Sequence, residues 1–231
     1  MGMTPLLRRA GDSAQSGIRG TLNFFGFLFS WLVMGLLLGV GVLAAIFWSY
    51  GRDLPDTQQL AQYEPATLSR IYSARGLIMD EFARERRIFT PIDEIPELVK
   101  GAFLSAEDKN FYDHPGFDLR GMVAAAVQAA QGDGLRGAST ITQQVMKNFL
   151  LDGERSATRK IKELILSVRA ESSLTKDDIL ELYMNEIFLG QNSYGVTAAA
   201  QTYFAKTLEE LTPAEAAYLA AMPKAPSRYH P

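Results

Sequence analysis

The stretch between Arg19 and Arg52, which holds no charged side chain, constrains this chain more than any other feature. Its central part, Phe24 to Trp48, is almost wholly apolar. A helix over these residues is roughly 37 Å long, enough to cross a hydrocarbon core of about 30 Å with some tilt. The sequence therefore predicts a transmembrane helix over residues 21–50. A cleaved signal peptide is the alternative, but its apolar region is shorter, roughly 7–15 residues, and ends at a small-residue cleavage site.

The charges on either side of the apolar stretch predict its orientation. Three arginines and one acid precede it, whereas one arginine and three acids follow it before residue 65. Basic residues favour the cytoplasmic side of a membrane. We therefore expect a cytoplasmic tail over residues 1–20, a linker over 51–64 and an extracytoplasmic domain over 65–231. The protein would cross the cytoplasmic (inner) membrane once.

Composition argues against several kinds of site and partner. The chain has no cysteine, so disulfides, thiol catalysis and thiolate metal sites are excluded. His114 and His230 are the two histidines, and their distance in sequence disfavours a multi-histidine zinc site. The net charge of -3 gives no support for a nucleic-acid partner.

Apolar periodicity and capping residues predict a mostly α-helical fold after the membrane segment, with a small β-hairpin near it. One helix begins near Pro96 and another begins at Thr140, which forms a capping box with Gln143. Further helices are expected over residues 119–130, 155–171, 175–190, 195–204 and 212–222, and the hairpin over residues 68–79.

Two of these helices have a predicted buried face. In the helix over residues 155–171, the buried stripe is expected to be Ile161, Leu164, Ile165 and Val168. In the helix over residues 175–190, which Gly190 is expected to stop, the core stripe is Leu180, Tyr183, Met184 and Ile187.

The segment Ser105 to Gly116 contains the first candidate for chemistry. Glu107 follows Val99 and Phe103 at intervals of four, so it shares their helix face. Loss of hydration on an apolar face raises the pKa of a carboxylate toward the range useful for proton transfer. Asp108 is expected to point elsewhere. The alternative is a solvated helix end that carries a surface acidic pair.

The segment from Gly137 to Asn148 contains the second candidate. Its capping box explains Thr140 and Gln143 without any ligand. The remaining polar stripe consists of Gln144, Lys147 and Asn148. A helix N-terminus together with a lysine can bind an anion. The glycine-rich loop before it, residues 131–137, suits either a lid over a groove or a plain surface loop.

The third candidate lies in the helix over residues 155–171. Arg159 and Lys160 precede Glu163 by four and three residues, so the three share one neighbourhood. A salt-bridged face in solvent is one interpretation. The other, which adds Arg155 and Lys147, is a cationic site for phosphates that surrounds one carboxylate.

Two carboxylates on different helices suggest glycosidic chemistry, in which one of them takes up a proton. The cations suggest that the leaving group is a phosphate ester, whose developing negative charge they would stabilise. A sugar carried on a lipid diphosphate, at the outer face of a membrane, is consistent with both features and with the predicted anchor.

The chain resembles the peptidoglycan glycosyltransferase family, the module at the N-terminus of class A penicillin-binding proteins. The resemblance covers roughly residues 65 to 231 and rests on five ordered motifs. They are Glu107-Asp-x-x-Phe111-x-x-His114-x-Gly116, Gly137-x-Ser-Thr-Ile-Thr-Gln-Gln144-x-x-Lys147-Asn148, Arg159-Lys160-x-x-Glu163, Ile179-Leu180-Glu181-x-Tyr183-x-Asn185, and the segment from Gly195 to Lys206.

The resemblance implies a lysozyme-like helical fold and polymerisation of lipid II into glycan strands, with inversion and release of undecaprenyl diphosphate. Glu107 would be the general base and Glu163 the second catalytic carboxylate, organising the diphosphate site or a Mg²⁺ or Mn²⁺ ion. The implied donor-diphosphate ligands are Lys147, Arg155, Arg159 and Lys160. The implied groove-lining residues are Ser139, Thr140, Gln143, Gln144 and Asn148. Those expected to shape the site are Asp108, Phe111, His114 and Gly116.

The same resemblance implies lipid II, the growing glycan chain, the inner membrane and cell-wall synthesis proteins as partners. Bifunctional members of the family carry a penicillin-sensitive transpeptidase domain after this module, and the chain is expected to be the N-terminal part of such a protein. A free-standing transferase is the alternative. The alternative functions are a lysozyme-like enzyme that cleaves glycan, which would not need the cation cluster, and a non-catalytic membrane scaffold.

Overall fold

The structure is a computed structural model that describes residues 5–52, 54–57, 60, 69–72, 78–82, 86–132, 139–151 and 157–224. The chain divides into two compact units, residues 1–53 and residues 54–231.

The first unit is a single helix, α1 (Pro5–Gly51). Its part from Asn23 to Gly51 contains an 18-residue window with a mean hydropathy of 2.3 and is long and apolar enough to cross a membrane. The predicted membrane segment therefore lies within α1, and the helix also continues toward the N-terminus. The boundary near residue 20 marks a change of polarity and not the start of the helix.

The second unit is mostly helical, as predicted. Its described helices are α2 (Glu97–Glu107), α3 (Leu119–Ala130), α4 (Ile141–Leu150), α5 (Ala157–Ser173), α6 (Lys176–Glu186), α7 (Val196–Phe204) and α8 (Pro213–Ala221). Short 3₁₀ turns occur at Ile92–Glu94, Phe111–Asp113 and Met222–Lys224.

Four short strands accompany the helices in the part of the chain that the structure describes. Strands β1 (Ser69–Tyr72) and β2 (Ile78–Phe82) pair antiparallel, which confirms the predicted hairpin; its turn lies outside the described residues. Strands β3 (Arg86–Arg87) and β4 (Ser193–Tyr194) form a parallel pair that the sequence did not predict. An ion pair between Arg87 and Glu186 lies beside this second pair.

The core lies where α2 packs against α8, and α4 packs against α5 and α6. The predicted apolar stripes of two helices are confirmed, because Val99 and Phe103 of α2 are buried, as is the whole stripe predicted for α6. The ring of Phe103 meets that of Tyr183 edge to face, with 6.3 Å between the centroids. This contact joins α2 to α6 one turn before Glu107.

The predicted buried stripe of α5 is wrong except at Ile165. The fully buried residues also include Glu163, Leu166, Ser167 and Ala170. The residues that are only half-buried are Ile161, Leu164 and Val168. Hydrophobicity misplaced this face because two polar residues on it have partners: Glu163 pairs with cations, and the Ser167 hydroxyl donates to the Glu163 carbonyl at 2.7 Å.

Two other boundaries differ from those predicted. Helix α6 ends at Glu186, not at Gly190, because the chain leaves the helix to form β4; Gly190 takes a φ of +87° in the turn before that strand. Of the segment expected to be a polar linker, Leu60 is buried in the core of the second unit and Leu54 packs against that core.

The loop after α2 approaches α5 at Gly116. This residue has a φ of +89°, and a Cβ added to it would lie 2.7 Å from the carbonyl oxygen of Ser167. Gly132, after α3, has a similar φ of +90°, but a Cβ added there would meet no atom within 4 Å. Substitutions at Gly132 and Gly116 can therefore be compared to separate the cost of a positive φ from the cost of a steric clash.

We predict that Gly132→Ala lowers the free energy of unfolding by roughly 1–2 kcal/mol, the cost of a left-handed backbone. Gly116→Ala should lower it by about 1–3 kcal/mol more, because the loop must also move away from α5. Urea or thermal unfolding of both variants in detergent measures the difference. Equal losses would show that the loop is free to move away from α5.

Candidate functional site

A cleft of about 880 Å³ brings together residues of α2, α4, α5 and the final 3₁₀ turn. The residues that line it are Ser105, Ala106, Glu107, Ser139, Gln143, Gln144, Lys147, Glu163 and Lys224. The two carboxylates predicted from different helices therefore share one cavity with Lys147. This is the arrangement that the sequence-based mechanism requires.

Glu107 is the last residue of α2, and its carboxylate faces the cleft. Its Oε2 atom accepts a hydrogen bond of 2.9 Å from the side-chain amide of Gln144 on α4. Its Oε1 atom is buried and has no hydrogen-bond partner among the described residues. Gln144 thus holds one carboxylate oxygen in place, whereas the other is buried without a hydrogen bond from the described residues.

The surroundings of Glu107 raise its pKa above the ordinary value of 4.5. The largest cause is burial, which removes water from the charged form, and the nearby charge of Asp108 acts in the same direction. The hydrogen bond from Gln144 and the charges of Lys224 and Lys147 lower the pKa and oppose part of this effect. A carboxylate whose pKa is raised is a stronger base than an ordinary one, which suits a general base.

Asp108 is buried, with 7% of its surface exposed, so the interpretation of a surface acidic pair is wrong. Its Oδ2 atom accepts a hydrogen bond of 2.9 Å from the backbone amide of Ile141, the first residue of α4. Both of its oxygens lie 3.0 Å from Nε2 of His114. Asp108 therefore joins the end of α2 to the start of α4 and fixes Glu107 relative to Gln144.

His114 extends this connection through the loop. Its Nδ1 atom accepts from the backbone amide of Gly116 at 3.2 Å, so Nε2 must carry the hydrogen that is donated to Asp108. The hydroxyl of Thr140 donates to the Gly116 carbonyl at 2.8 Å. Phe111 is buried beneath the loop, edge to face with His114. The residues predicted to shape the site thus lie outside the main cleft and support it; they are Asp108, Phe111, His114 and Gly116.

The cationic cluster is centred on Glu163, which is only 3% exposed, so the interpretation of a solvated salt-bridged face is wrong for this residue. Its Oε1 atom accepts from Nε of Arg159 at 3.1 Å, and its Oε2 atom accepts from Nζ of Lys160 at 2.9 Å. Lys160 also donates to Ser139 at 2.8 Å and to Gln143 at 3.3 Å. Glu163 thereby arranges two cations at the edge of the cleft.

Arg159 and Lys160 do not line the cleft themselves, and three further predicted residues are not found among its lining residues. Asn148 is exposed and lies one turn beyond Gln144, where α4 has left the cavity. Thr140 is buried as the N-cap of α4 and lines a second, smaller cavity of about 260 Å³ on the other side of Glu107. Arg155, and the part of the glycine-rich loop that covers residues 133–138, lie outside the described residues.

Lys224 is a cleft residue that sequence reasoning missed. Its Nζ atom donates to the carbonyl of Ala106 at 3.2 Å, although the two residues are far apart in sequence. The packing of α8 against α2 places it there. Its surroundings in the sequence are proline-rich and match no catalytic pattern, so no local signal could have found it.

Tyr183 was predicted only as a core residue, and its ring is indeed buried. Its hydroxyl is also buried and has no hydrogen-bond partner among the described residues. Burial raises the pKa of Tyr183 well above 10, and the charges of Glu107 and Asp108 raise it further. The hydroxyl is therefore within electrostatic range of both carboxylates.

The tetrad Ser173-Leu-Thr-Lys176 has the Ser-x-x-Lys spacing that penicillin-binding transpeptidases use for acylation. The structure assigns it another role. The Ser173 hydroxyl donates to the Arg169 carbonyl at 3.1 Å, and Nζ of Lys176 donates to Glu171 and to the His114 carbonyl. Serine and lysine therefore have separate partners and do not form a nucleophile–base pair.

The transglycosylase family model matches residues 75–231, which contain every residue of the cleft. The chain belongs to the transglycosylase family. It is 54% identical over 200 residues to penicillin-binding protein 1A of Rickettsia felis and 48% identical over 209 residues to penicillin-binding protein 1A of Neisseria meningitidis. These matches cover 85% and 90% of this chain but only 25% and 26% of the relatives.

The chain thus spans about a quarter of the length of these curated relatives. A crystal structure of penicillin-binding protein 1A from Haemophilus influenzae also matches, with 31% sequence identity and a TM-score of 0.38. That match covers 73% of this chain and 16% of the crystallised chain.

Because burial raises the pKa of Glu107, its ionisation must destabilise the folded transglycosylase domain. The effect is absent below the unfolded-state pKa of 4.5, grows as pH rises through the higher folded-state pKa, and is complete above it. We predict that Glu107→Gln unfolds at a higher temperature than wild type at pH 8 and that this gap closes toward pH 4.

Thermal unfolding between pH 4 and pH 8 measures this gap. Glu94→Gln, at an exposed glutamate before α2, is the matched control and should show no such pH-dependent gain. A gap for Glu107→Gln that is constant with pH would contradict the predicted pKa of Glu107.

Proposed function

We propose that this transglycosylase domain polymerises lipid II into peptidoglycan glycan strands by inverting glycosyl transfer, with release of undecaprenyl diphosphate. One observation carries the proposal: Glu107, a half-buried carboxylate with a raised pKa, lines the same cleft as Lys147, Lys224 and Glu163, the carboxylate that holds Arg159 and Lys160. Family membership and the likeness to penicillin-binding proteins 1A support it.

The first half of the proposed reaction is a proton transfer. The carboxylate of Glu107, which Gln144 holds through Oε2, accepts the proton of the 4-hydroxyl group of the acceptor sugar. The acceptor oxygen then bonds to the anomeric carbon of the donor sugar from the side opposite the diphosphate. This geometry inverts the anomeric configuration. The proton remains on Glu107 until it is exchanged with solvent.

The second half is departure of the diphosphate. The bond between the anomeric carbon and the diphosphate oxygen breaks, and the electron pair stays with the leaving group. Lys147 and Lys160, with Arg159, would stabilise the developing negative charge, as would Arg155. Glu163 would act by orienting Arg159 and Lys160, because both of its oxygens already accept hydrogen bonds from them.

We further propose that a Mg²⁺ or Mn²⁺ ion is carried mainly by the diphosphate of the substrate. In the described part of the chain, no three acidic or histidine side chains lie close enough to hold a metal ion together. Mg²⁺ commonly binds through substrate phosphates with only one or two carboxylates. Glu163 already accepts hydrogen bonds from Arg159 and Lys160, so the diphosphate would supply most of the ligands of such an ion.

The proposal places the reaction at the outer face of the cytoplasmic membrane. The apolar part of α1 supports a membrane anchor, and the arginines before it favour a cytoplasmic N-terminus. Lipid II and the growing glycan chain would be the substrates in that compartment, with cell-wall synthesis proteins as partners and no nucleic acid.

We predict that the purified chain converts lipid II into long glycan polymer and that Glu107→Gln lowers turnover by about 10²- to 10⁴-fold, the usual contribution of a general base. A phosphoglycolipid inhibitor of the moenomycin type should block the wild-type reaction. Gel analysis of labelled lipid II measures product length, and the unfolding temperature of each variant verifies its fold.

Glu94→Gln is the matched control and should retain wild-type turnover, since Glu94 lies outside the cleft. The rival functions give other results. Shortening of preformed glycan, without polymer from lipid II, would indicate a hydrolase. No product from either substrate, together with unchanged function of Glu107→Gln in cells, would indicate a scaffold.

A further inference from the structure

Lys176, the first residue of α6, makes three contacts with the loop and helix that surround the cleft. Its Nζ atom donates to the His114 carbonyl at 2.7 Å and to Oε1 of Glu171 at 2.7 Å. The same atom lies 4.5 Å from the centre of the Phe111 ring. One cation thus holds both ends of the 3₁₀ turn that follows Glu107 against α5.

Glu171 carries the connection onward to α4. Its Oε1 atom also accepts a hydrogen bond of 2.7 Å from the hydroxyl of Thr142. The Glu171 side chain is 9% exposed and that of Lys176 is 20% exposed, so water screens this pair only weakly. Thr142 precedes Gln144 by two residues on the rigid helix α4.

These contacts close a ring around the catalytic pair. From Glu107 the ring passes through Asp108 and His114 to Lys176. From Lys176 it passes through Glu171 and Thr142 to α4, and Gln144 returns it to Glu107. Lys176 and Glu171 therefore hold the loop after α2 in register with α4. The hydrogen bond from Gln144 to Glu107 forms between α4 and the end of α2.

We propose that Lys176, with Glu171, is a positioning residue that sets the distance between Gln144 and the general base Glu107. The proposal rests on the proposed function for its kinetic consequence but not for its structural one. It gives Lys176 a role at the active site without any contact with substrate. It also explains why a lysine with the spacing of an acylation motif has no serine partner in this domain.

Loss of the contacts of Lys176 should make Glu107 harder to ionise. The groups that face Glu107 are Asp108 at the end of its own helix, Gln144 and Lys147 on α4, Tyr183 on α6 and Lys224 in the final turn. Of these, Gln144 stabilises the ionised form by a direct hydrogen bond that depends on the register of α4. Loosening that register weakens the bond, so a higher pH is needed to ionise Glu107.

The test compares Lys176→Met with wild type by two measurements. The first is the pKa of Glu107, followed by carboxyl ¹³C NMR without substrate. The second is the pH dependence of kcat for lipid II polymerisation. We expect the Glu107 titration and the acid limb of kcat to move up together by about one pH unit, as for loss of a hydrogen bond to a charge. We also expect kcat to fall by about 10- to 100-fold at neutral pH.

Lys206→Met is the matched control. Lys206 forms an ion pair of 2.7 Å with Glu215 in the same unit, and neither residue lines the cleft. This variant should change neither the titration of Glu107 nor the acid limb. Lys176→Arg should restore part of the wild-type behaviour. Lys176→Met with Glu171→Gln removes both charges and serves as the test variant if the single substitution does not fold.

A double substitution identifies the route of the effect. In a Gln144→Met background the hydrogen bond to Glu107 is already lost, so adding Lys176→Met should shift the Glu107 titration no further. A second full shift would overturn the proposal, as would a folded Lys176→Met with an unchanged titration. Absence of polymerisation by wild type would refute the proposed function alone, because the NMR titration still tests the role of Lys176.

Discussion

The rest of the site depends on the hydrogen bonds that the buried carboxylate of Asp108 makes. It binds the first amide of α4 and the imidazole of His114, and so joins the end of α2 to the start of α4. A buried charge is costly unless hydrogen bonds compensate for it, and here backbone and side chain supply them. Because the next residue toward the N-terminus is Glu107, the position of the proposed general base follows from that of its neighbour.

Adjacent acids in the chain have opposite tasks because their surroundings differ. The oxygens of Asp108 have partners, so this residue is suited to holding structure. Glu107 has one oxygen paired with Gln144 and one buried without a partner among the described residues, a state that costs stability. Burial raises its pKa, while Gln144, Lys224 and Lys147 limit the rise, so Glu107 is a stronger base than an ordinary glutamate.

The second carboxylate acts on the other side of the cleft in a different way. Glu163 is buried, and its two oxygens hold Arg159 and Lys160. Two cations and one anion leave a local positive charge that is fixed in direction before a substrate arrives. Preorganised charge of this kind stabilises a developing diphosphate without reorganisation at the moment of reaction. A hydrolase that releases only sugars would have no use for this arrangement.

The sequence by itself determined the features that depend on neighbours along the chain. These are the apolar part of α1, the capping box that begins α4, the stripes of α2 and α6, and the order of the motifs. It failed for the buried face of α5 and for Lys224, and it did not foresee the ring through Lys176. Only the tertiary structure decided these, because whether a polar side chain loses its water, and what replaces that water, depends on segments that are distant in sequence. Glu163 and Lys176 look like solvated surface charges until α4 and the loop after α2 are packed against them.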